Sequence, residues 1–258
     1  MKTKLLFNAL SAGLLAAAFL AGQQARAANI LVLGADSGGD PSSQLMGLDG
    51  ITSSTYYDTT VGTPSLASIQ GYSAILAYTN YVPFDGTALG DVLKQYVDGG
   101  GQVVLATYAL SPSWAISGGI MTPGYSPLID NSIDAQPSGS LVATVPGNPI
   151  FNGVDLSSLT YFSNGNFAVP GLDSGATLLA TDGIGTYMIA VNAAGNVYAD
   201  NLFPEDYAGN NGQFYQLLAN ELTSSQTVTV PDGSSTALLL SLGAMATAFA
   251  ARKFKKRA

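Results

Sequence analysis

The chain has 258 residues, a net charge of −8, and neither Cys nor His. Their absence removes disulfides, a thiolate nucleophile, an imidazole base and imidazole metal ligands. Between Ala28 and Pro231 sixteen acidic residues stand against Lys94 alone, a local charge near −15, which leaves no basic face to neutralise phosphates and excludes nucleic acid as a partner.

The first segment, residues 1–27, opens with Lys2 and Lys4, runs apolar over 5–21 and ends in Ala25-Arg26-Ala27. A basic start, an apolar stretch and an A-x-A pattern describe a secretory signal peptide. The chain is therefore expected to be exported, with residues 28–226 as a single α/β domain.

Residues 29–34, NILVLG, form a short apolar run that ends in Gly, the pattern of a buried parallel strand. A short helix near 43–49 and a second strand near 53–60 follow, then a clearer strand at 72–78, YSAILAY. Over 84–100 the apolar Leu89, Val92, Leu93, Tyr96 and Val97 recur at helical spacing, with Asp85 near the start and Gly99 to Gly101 as a stop. The strand 102–107, QVVLAT, completes a βαβ unit, for which a right-handed crossover is the rule. From 110 to 149 Pro and Gly recur, and the expectation is irregular loops with one weak helix near 127–133 and a strand at 141–145. Shorter strands are expected at 159–162, 176–181, 187–191 and 196–199, with 192–195 as the turn between the last two, and a closing helix at 213–222.

Residues 227–236 read as a linker. Residues 237–251 are apolar apart from Ser241 and Thr247, fifteen residues or about 22 Å as a helix against a hydrocarbon core of roughly 30 Å. Arg252, Lys253, Lys255, Lys256 and Arg257 follow. Snorkelling of such a basic tail extends the reach, and the positive-inside preference puts the domain outside. A C-terminal hydrophobic helix over 237–258 is thus expected to hold the chain at the inner membrane, at least transiently, before the cell surface or the extracellular space.

Val230, Pro231, Asp232, Gly233, Ser234, Ser235 and Thr236, followed by an apolar helix and a basic end, resemble the VPDSG-type relative of the PEP-CTERM sorting signals of Gram-negative bacteria. Here Gly233 and Ser234 stand in the reverse of the family's order. The resemblance implies an exosortase-type sorting protease as a partner and a setting rich in extracellular polysaccharide.

The middle of the chain is similar to the class I glutamine-amidotransferase-like superfamily, and to its ThuA-like branch. The matching pieces are ILVLG at 30–34, YSAILAY at 72–78, LKQYVDGGGQVVLAT at 93–107, NPIFNGV at 148–154 and FYQLLANEL at 214–222. The implied fold is three-layer and flavodoxin-like, a mostly parallel sheet flanked by helices. Family enzymes place a Cys just after the strand matching 102–107 and a His with an acidic partner near the C-terminal end. This chain has Tyr108, Ala109, Leu110 and Ser111 there and no His anywhere, so the family's mechanism is ruled out and a non-catalytic member is implied.

Four groups of residues remain as candidate sites. Asp36 and Asp40, in the loop beyond the first strand, lie where open α/β sheets bind ligands and could offer carboxylates to a hard cation; no cofactor is expected, and whether a metal binds is left open. Ser111 and Ser113 sit near the nucleophile position, but the only Lys that could serve as base, Lys94, is expected to point away on the preceding helix. Tyr108, Trp114, Tyr125, Tyr161, Phe162 and Tyr187 could present ring faces to sugars. A carboxylate-dependent or metal-dependent hydrolase would need two or more of Asp36, Asp40, Asp182, Asp200, Glu205 and Asp206 to converge. The expected function is a non-enzymatic surface or matrix protein that acts structurally or by interaction; a carbohydrate-binding module and a hydrolase of this kind are the alternatives.

Overall fold

The computed structural model describes residues 27–224 except 37, 112–113, 130–133, 136–138, 163–166, 169 and 206–208. The expected signal segment, sorting motif, C-terminal hydrophobic helix and basic tail lie outside the described residues. Among those described, no helix is long and apolar enough to cross a membrane.

The first half alternates strand and helix: β1 (Ala28–Ala35), α1 (Ser42–Leu45), β2 (Ile51–Asp58), α2 (Leu66–Ile69), β3 (Ala74–Thr79), α3 (Gly86–Asp98) and β4 (Gln102–Ala106). Short pieces follow: β5 (Leu128–Ile129), β6 (Asp134–Ala135), β7 (Val142–Ala143), β8 (Phe167–Ala168) and β9 (Gly171–Leu172). The chain then returns to the sheet as β10 (Thr177–Thr181), β11 (Tyr187–Val191) and β12 (Val197–Asp200), and ends in α4 (Gly212–Thr223).

Eight strands form one sheet in the order β2-β1-β3-β4-β12-β11-β10-β7. The first five in that order run parallel, and β11, β10 and β7 extend it antiparallel. Because both faces are covered, the central strands are apolar on both sides and polar only near their ends, at Asn29, Thr79, Gln102 and Asp200. In β1, Ile30 and Val32 enter the core beneath α4, while Leu31 and Leu33 enter the core beneath α3. This is a three-layer, flavodoxin-like α/β fold of mostly parallel sheet.

α3 begins where Asp85 accepts a hydrogen bond from the Ala88 amide at 2.9 Å, satisfying one of the orphan donors of the first turn. Leu89, Leu93, Tyr96 and Val97 form its buried stripe. Gly90 on the same helix lies so close to the following loop that a Cβ would sit 1.6 Å from the Ser117 carbonyl oxygen. α4 is capped in the same way, Asn211 Oδ1 accepting from the Gln213 and Phe214 amides.

Two expected elements are different. In place of a helix near 127–133, Leu128–Ile129 is extended and pairs with Gly171–Leu172. The Pro127 carbonyl accepts from the Asp173 amide at 2.9 Å, so a long-range pairing has overridden the weak local pattern. Residues 159–162 form no strand. Side chains of the loop before α4 hold the segment instead: Asn210 Oδ1 accepts from the Phe162 amide at 2.9 Å and Asn211 Nδ2 donates to the Ser158 carbonyl at 2.7 Å.

Candidate functional site

In an open sheet of this order, ligands bind outside the carboxyl ends of the strands, where neighbouring connections diverge. At the β1 and β3 ends the chain turns through Asp36, Gly39 and Asp40, and two tyrosines hold that turn from below. Tyr56 donates to the Gly34 and Asp36 carbonyls at 3.2 and 3.3 Å, and Tyr78 donates to the Gly39 carbonyl. Burial pushes the Tyr56 hydroxyl up to about 12. It raises Tyr78 further, with the Tyr56, Asp36 and Asp40 charges adding to the rise. Both remain neutral donors at any physiological pH.

Glu205 returns to this turn from the loop beyond β12. A Cβ on residue 39 would lie 2.1 Å from Glu205 Cδ, so only glycine permits the approach. Asn80 Nδ2 donates to Glu205 Oε1 at 3.5 Å. The Glu205 carbonyl is fixed independently by Asn210 Nδ2 at 2.7 Å and by the Tyr215 hydroxyl at 2.9 Å. Asp40 is engaged locally, accepting from the Ser42 amide at 2.8 Å at the start of α1.

The other acidic candidates go elsewhere. Asp182 accepts from the Ile184 and Thr186 amides at 3.0 and 2.7 Å and so closes the β10–β11 turn. Asp200 is fully buried on the α4 side of β12. Asp206 lies outside the described residues. Among the described residues, no three acidic side chains are grouped so that they could hold a metal ion.

Beyond β4 the chain places Tyr108 at the strand end, 7% exposed. Its ring meets Trp114 edge-on at 5.1 Å and Phe203 at 5.4 Å. Phe203 also touches Tyr78 at 6.2 Å and Phe162 at 5.5 Å. These distances are those of favourable edge and tilted ring pairs. Ser111 is buried, its amide bonded to the Tyr108 carbonyl at 2.8 Å, and Ser113 lies outside the described residues. Lys94 is on α3, 2.6 Å from Asp98 and 4.6 Å from the Tyr125 ring centre, on the α3 side of the sheet.

Of the six aromatic residues expected to share one edge, Tyr108, Trp114 and Phe162 do come together. Tyr125 and Tyr187 pack on the α3 side, and the Tyr161 hydroxyl turns to the Gly139 carbonyl at 2.9 Å. The rings that gather pack on one another through Tyr108 and Phe203, which are buried, while Trp114 and Phe162 remain partly exposed. Sequence reasoning did not single out Tyr78, which sits in the apolar run YSAILAY and reads as ordinary core, or Phe203, which sits in the polar loop stretch DNLFPED with no periodic signal. At the opposite edge, where the strands begin, a groove of ≈ 400 Å³ is lined by Leu66, Gln70, Tyr72, Gln95, Tyr96 and neighbouring residues. It lies at the end of the sheet opposite Asp36, Glu205 and Tyr108.

Comparison with solved structures now places the architecture. A protein from Bacteroides uniformis described as ThuA-like superposes with a TM-score of 0.51 at 13% identity, covering 77% of this chain and 91% of that one. The chain has a ThuA-like fold. A Thermoplasma acidophilum protein described as part of a GMP synthase matches at TM-score 0.49 and 12% identity, over 77% of this chain and 96% of that one. PurLQS from Thermotoga maritima matches at 0.46 and 11%, over 77% and 99%. No family model and no curated protein matches the sequence. At these identities the likeness is one of fold alone. Within the ThuA-like fold, the β4 end carries Tyr108 under two aromatic rings, and the β1 end carries the Gly39–Glu205 contact.

Proposed function

We propose that this chain is an exported, non-enzymatic protein that acts structurally or by interaction at the cell surface or in an extracellular matrix. Its route would run through a VPDSG-type sorting signal at residues 230–236, processed by an exosortase-type membrane protease, with residues 237–258 holding it at the inner membrane until then. The observation that carries the non-enzymatic reading is the filling of the β4 end. Tyr108, Trp114, Phe162 and Phe203 occupy the space beside the strand end with packed rings.

A nucleophile needs a base within hydrogen-bond reach and donors for the charge it generates. Ser111 has neither Cys nor His chemistry to draw on, and Lys94 is committed to Asp98. Glu205 is paired with Asn80 and pressed against Gly39.

The test is turnover of chromogenic amide, ester and glycoside substrates by the purified full chain. The expected result is background rates, unchanged by Tyr108→Ala. Saturable turnover that Glu205→Gln or Asp36→Asn abolishes would overturn the proposal.

A further inference from the structure

One feature of the core beneath α4 is not apolar. Asp200, the last residue of β12, and Glu221, in the last turn of α4, are both 0% exposed. Among the described residues no side chain donates to any of their four carboxyl oxygens, and the Leu202 amide alone approaches Asp200. Burial drives the Glu221 carboxyl well above the usual range, and the Asp200 charge adds to it. Burial likewise raises Asp200, tempered by the nearby Leu202 amide and by Glu221 itself.

Among the described residues the surroundings offer nothing to neutralise two negative charges. On β12, Tyr198 is itself raised by burial, with Glu221 contributing to the rise. β4 carries no titratable residue, and its Gln102 amide is directed to the Glu221 carbonyl and to Ser224 Oγ. On β3, Tyr78 is engaged with Gly39; on β11, Tyr187 packs on the opposite face of the sheet. α1 and the turn Pro149–Phe151 have no titratable residue. Tyr215 of α4 donates to the Glu205 carbonyl, and Asp49, at the α4 end, accepts from Thr223. The only basic residue between positions 27 and 251 is Lys94, bound to Asp98 on the other side of the sheet.

Two ionised carboxylates in such a site would be desolvated and mutually repelled with no compensation. A proton between them converts repulsion into a hydrogen bond. We propose that Asp200 and Glu221 share a bound proton in the folded domain, and that its release to solvent as the pH rises loosens the last turn of α4 from β12. The device couples the helix that leads into residues 225–258 to pH.

The sign follows from linkage. In the pH range between the unfolded and the folded carboxyl pKa values the folded state binds more protons, so stability falls as pH rises. The contribution is complete below about pH 4, the unfolded value, and is lost through the raised folded values at about tenfold in the folding constant per pH unit for each proton retained.

Hydrogen exchange of the full chain across pH 5 to 9, corrected for intrinsic exchange, reads this directly. Protection of residues 217–223 is expected to fall by about tenfold per pH unit over part of that range. In D200N/E221Q, which keeps shape and hydrogen bonding but cannot titrate, the protection is expected to stay flat. A wild-type profile as flat as that of the double variant would overturn the proposal. Infrared spectra of the wild-type chain at pH 7 provide a measurement independent of any variant. A carbonyl band of a protonated carboxyl group, shifted in D₂O, is expected, and its absence would overturn the proposal. So would a calcium-dependent rise in melting temperature that abolishes the pH slope, since the pair would then hold a cation.

Discussion

Phe203→Ala tests whether the β4 end is filled by a packed cluster. Phe203 is 1% exposed, and its ring lies 5.4 Å from Tyr108, 5.5 Å from Phe162 and 6.2 Å from Tyr78. Truncation removes the hub of three ring pairs and leaves a cavity whose walls are themselves held by backbone contacts. Tyr78 is tied to Gly39 and the Phe162 amide to Asn210, so the site cannot collapse far. Phe→Ala changes in such cores cost about 3–5 kcal/mol, against a total stability of about 5–15 kcal/mol. For a domain of this size roughly 2–4 °C is lost per kcal/mol, so the melting temperature is expected to drop by roughly 6–20 °C. Urea unfolding followed by tyrosine and tryptophan fluorescence gives the free-energy difference, and Phe203→Leu, which keeps most of the volume, is expected to cost about 1.5 kcal/mol or less. A loss under about 1 kcal/mol for the alanine variant would mean an open cleft rather than a core, and the reasoning that denies the site a substrate would fail.

Gly90→Ala sets helix propensity against packing. Alanine favours a helix by about 1 kcal/mol over glycine, yet its Cβ would lie 1.6 Å from the Ser117 carbonyl oxygen, so a net loss of about 2 kcal/mol is expected from overpacking; stabilisation in thermal unfolding would refute the close approach. Asp85→Ala removes the cap on the Ala88 amide and should cost about 1 kcal/mol in urea unfolding, with no change meaning that the cap is not formed in solution. Lys94 holds the Asp98 carboxyl below its ordinary range through their hydrogen bond. Any stability this pair adds is present above the unfolded Asp value and lost as pH falls through the depressed one. Lys94→Gln should move the Asp98 midpoint up in an NMR titration, and an unmoved midpoint would contradict the pair.

The parallel half of the sheet was legible because its local and global preferences agree. β1, β3 and β4 are continuous apolar runs with a polar residue only near one end, as strands covered on both faces tend to be, and α3 declares its start at Asp85 and its stop at the glycines 99–101. β5 and β9 could not be read in the same way. Each contributes two residues whose extended conformation comes from pairing across more than forty positions, not from propensity. The position of the β1-end site was foreseeable from the fold, since Asp36 and Asp40 follow the first strand. Its completion by Glu205 was not, because it depends on Asn80, Asn210 and Tyr215 fixing a loop from the far end of the domain. Glu221 was hidden for the opposite reason. In QLLANEL it reads as the polar face of an amphipathic helix, whereas the sheet covers that face and the carboxyl is buried.

The most direct test of the account is intact mass and terminal peptide mapping of the chain from membrane and extracellular fractions of the cells that make it. The account predicts a mature N-terminus at Ala28 in both fractions, with residues 237–258 missing from released material. A full 258-residue chain confined to the cytoplasm, its first 27 residues still attached, would contradict it.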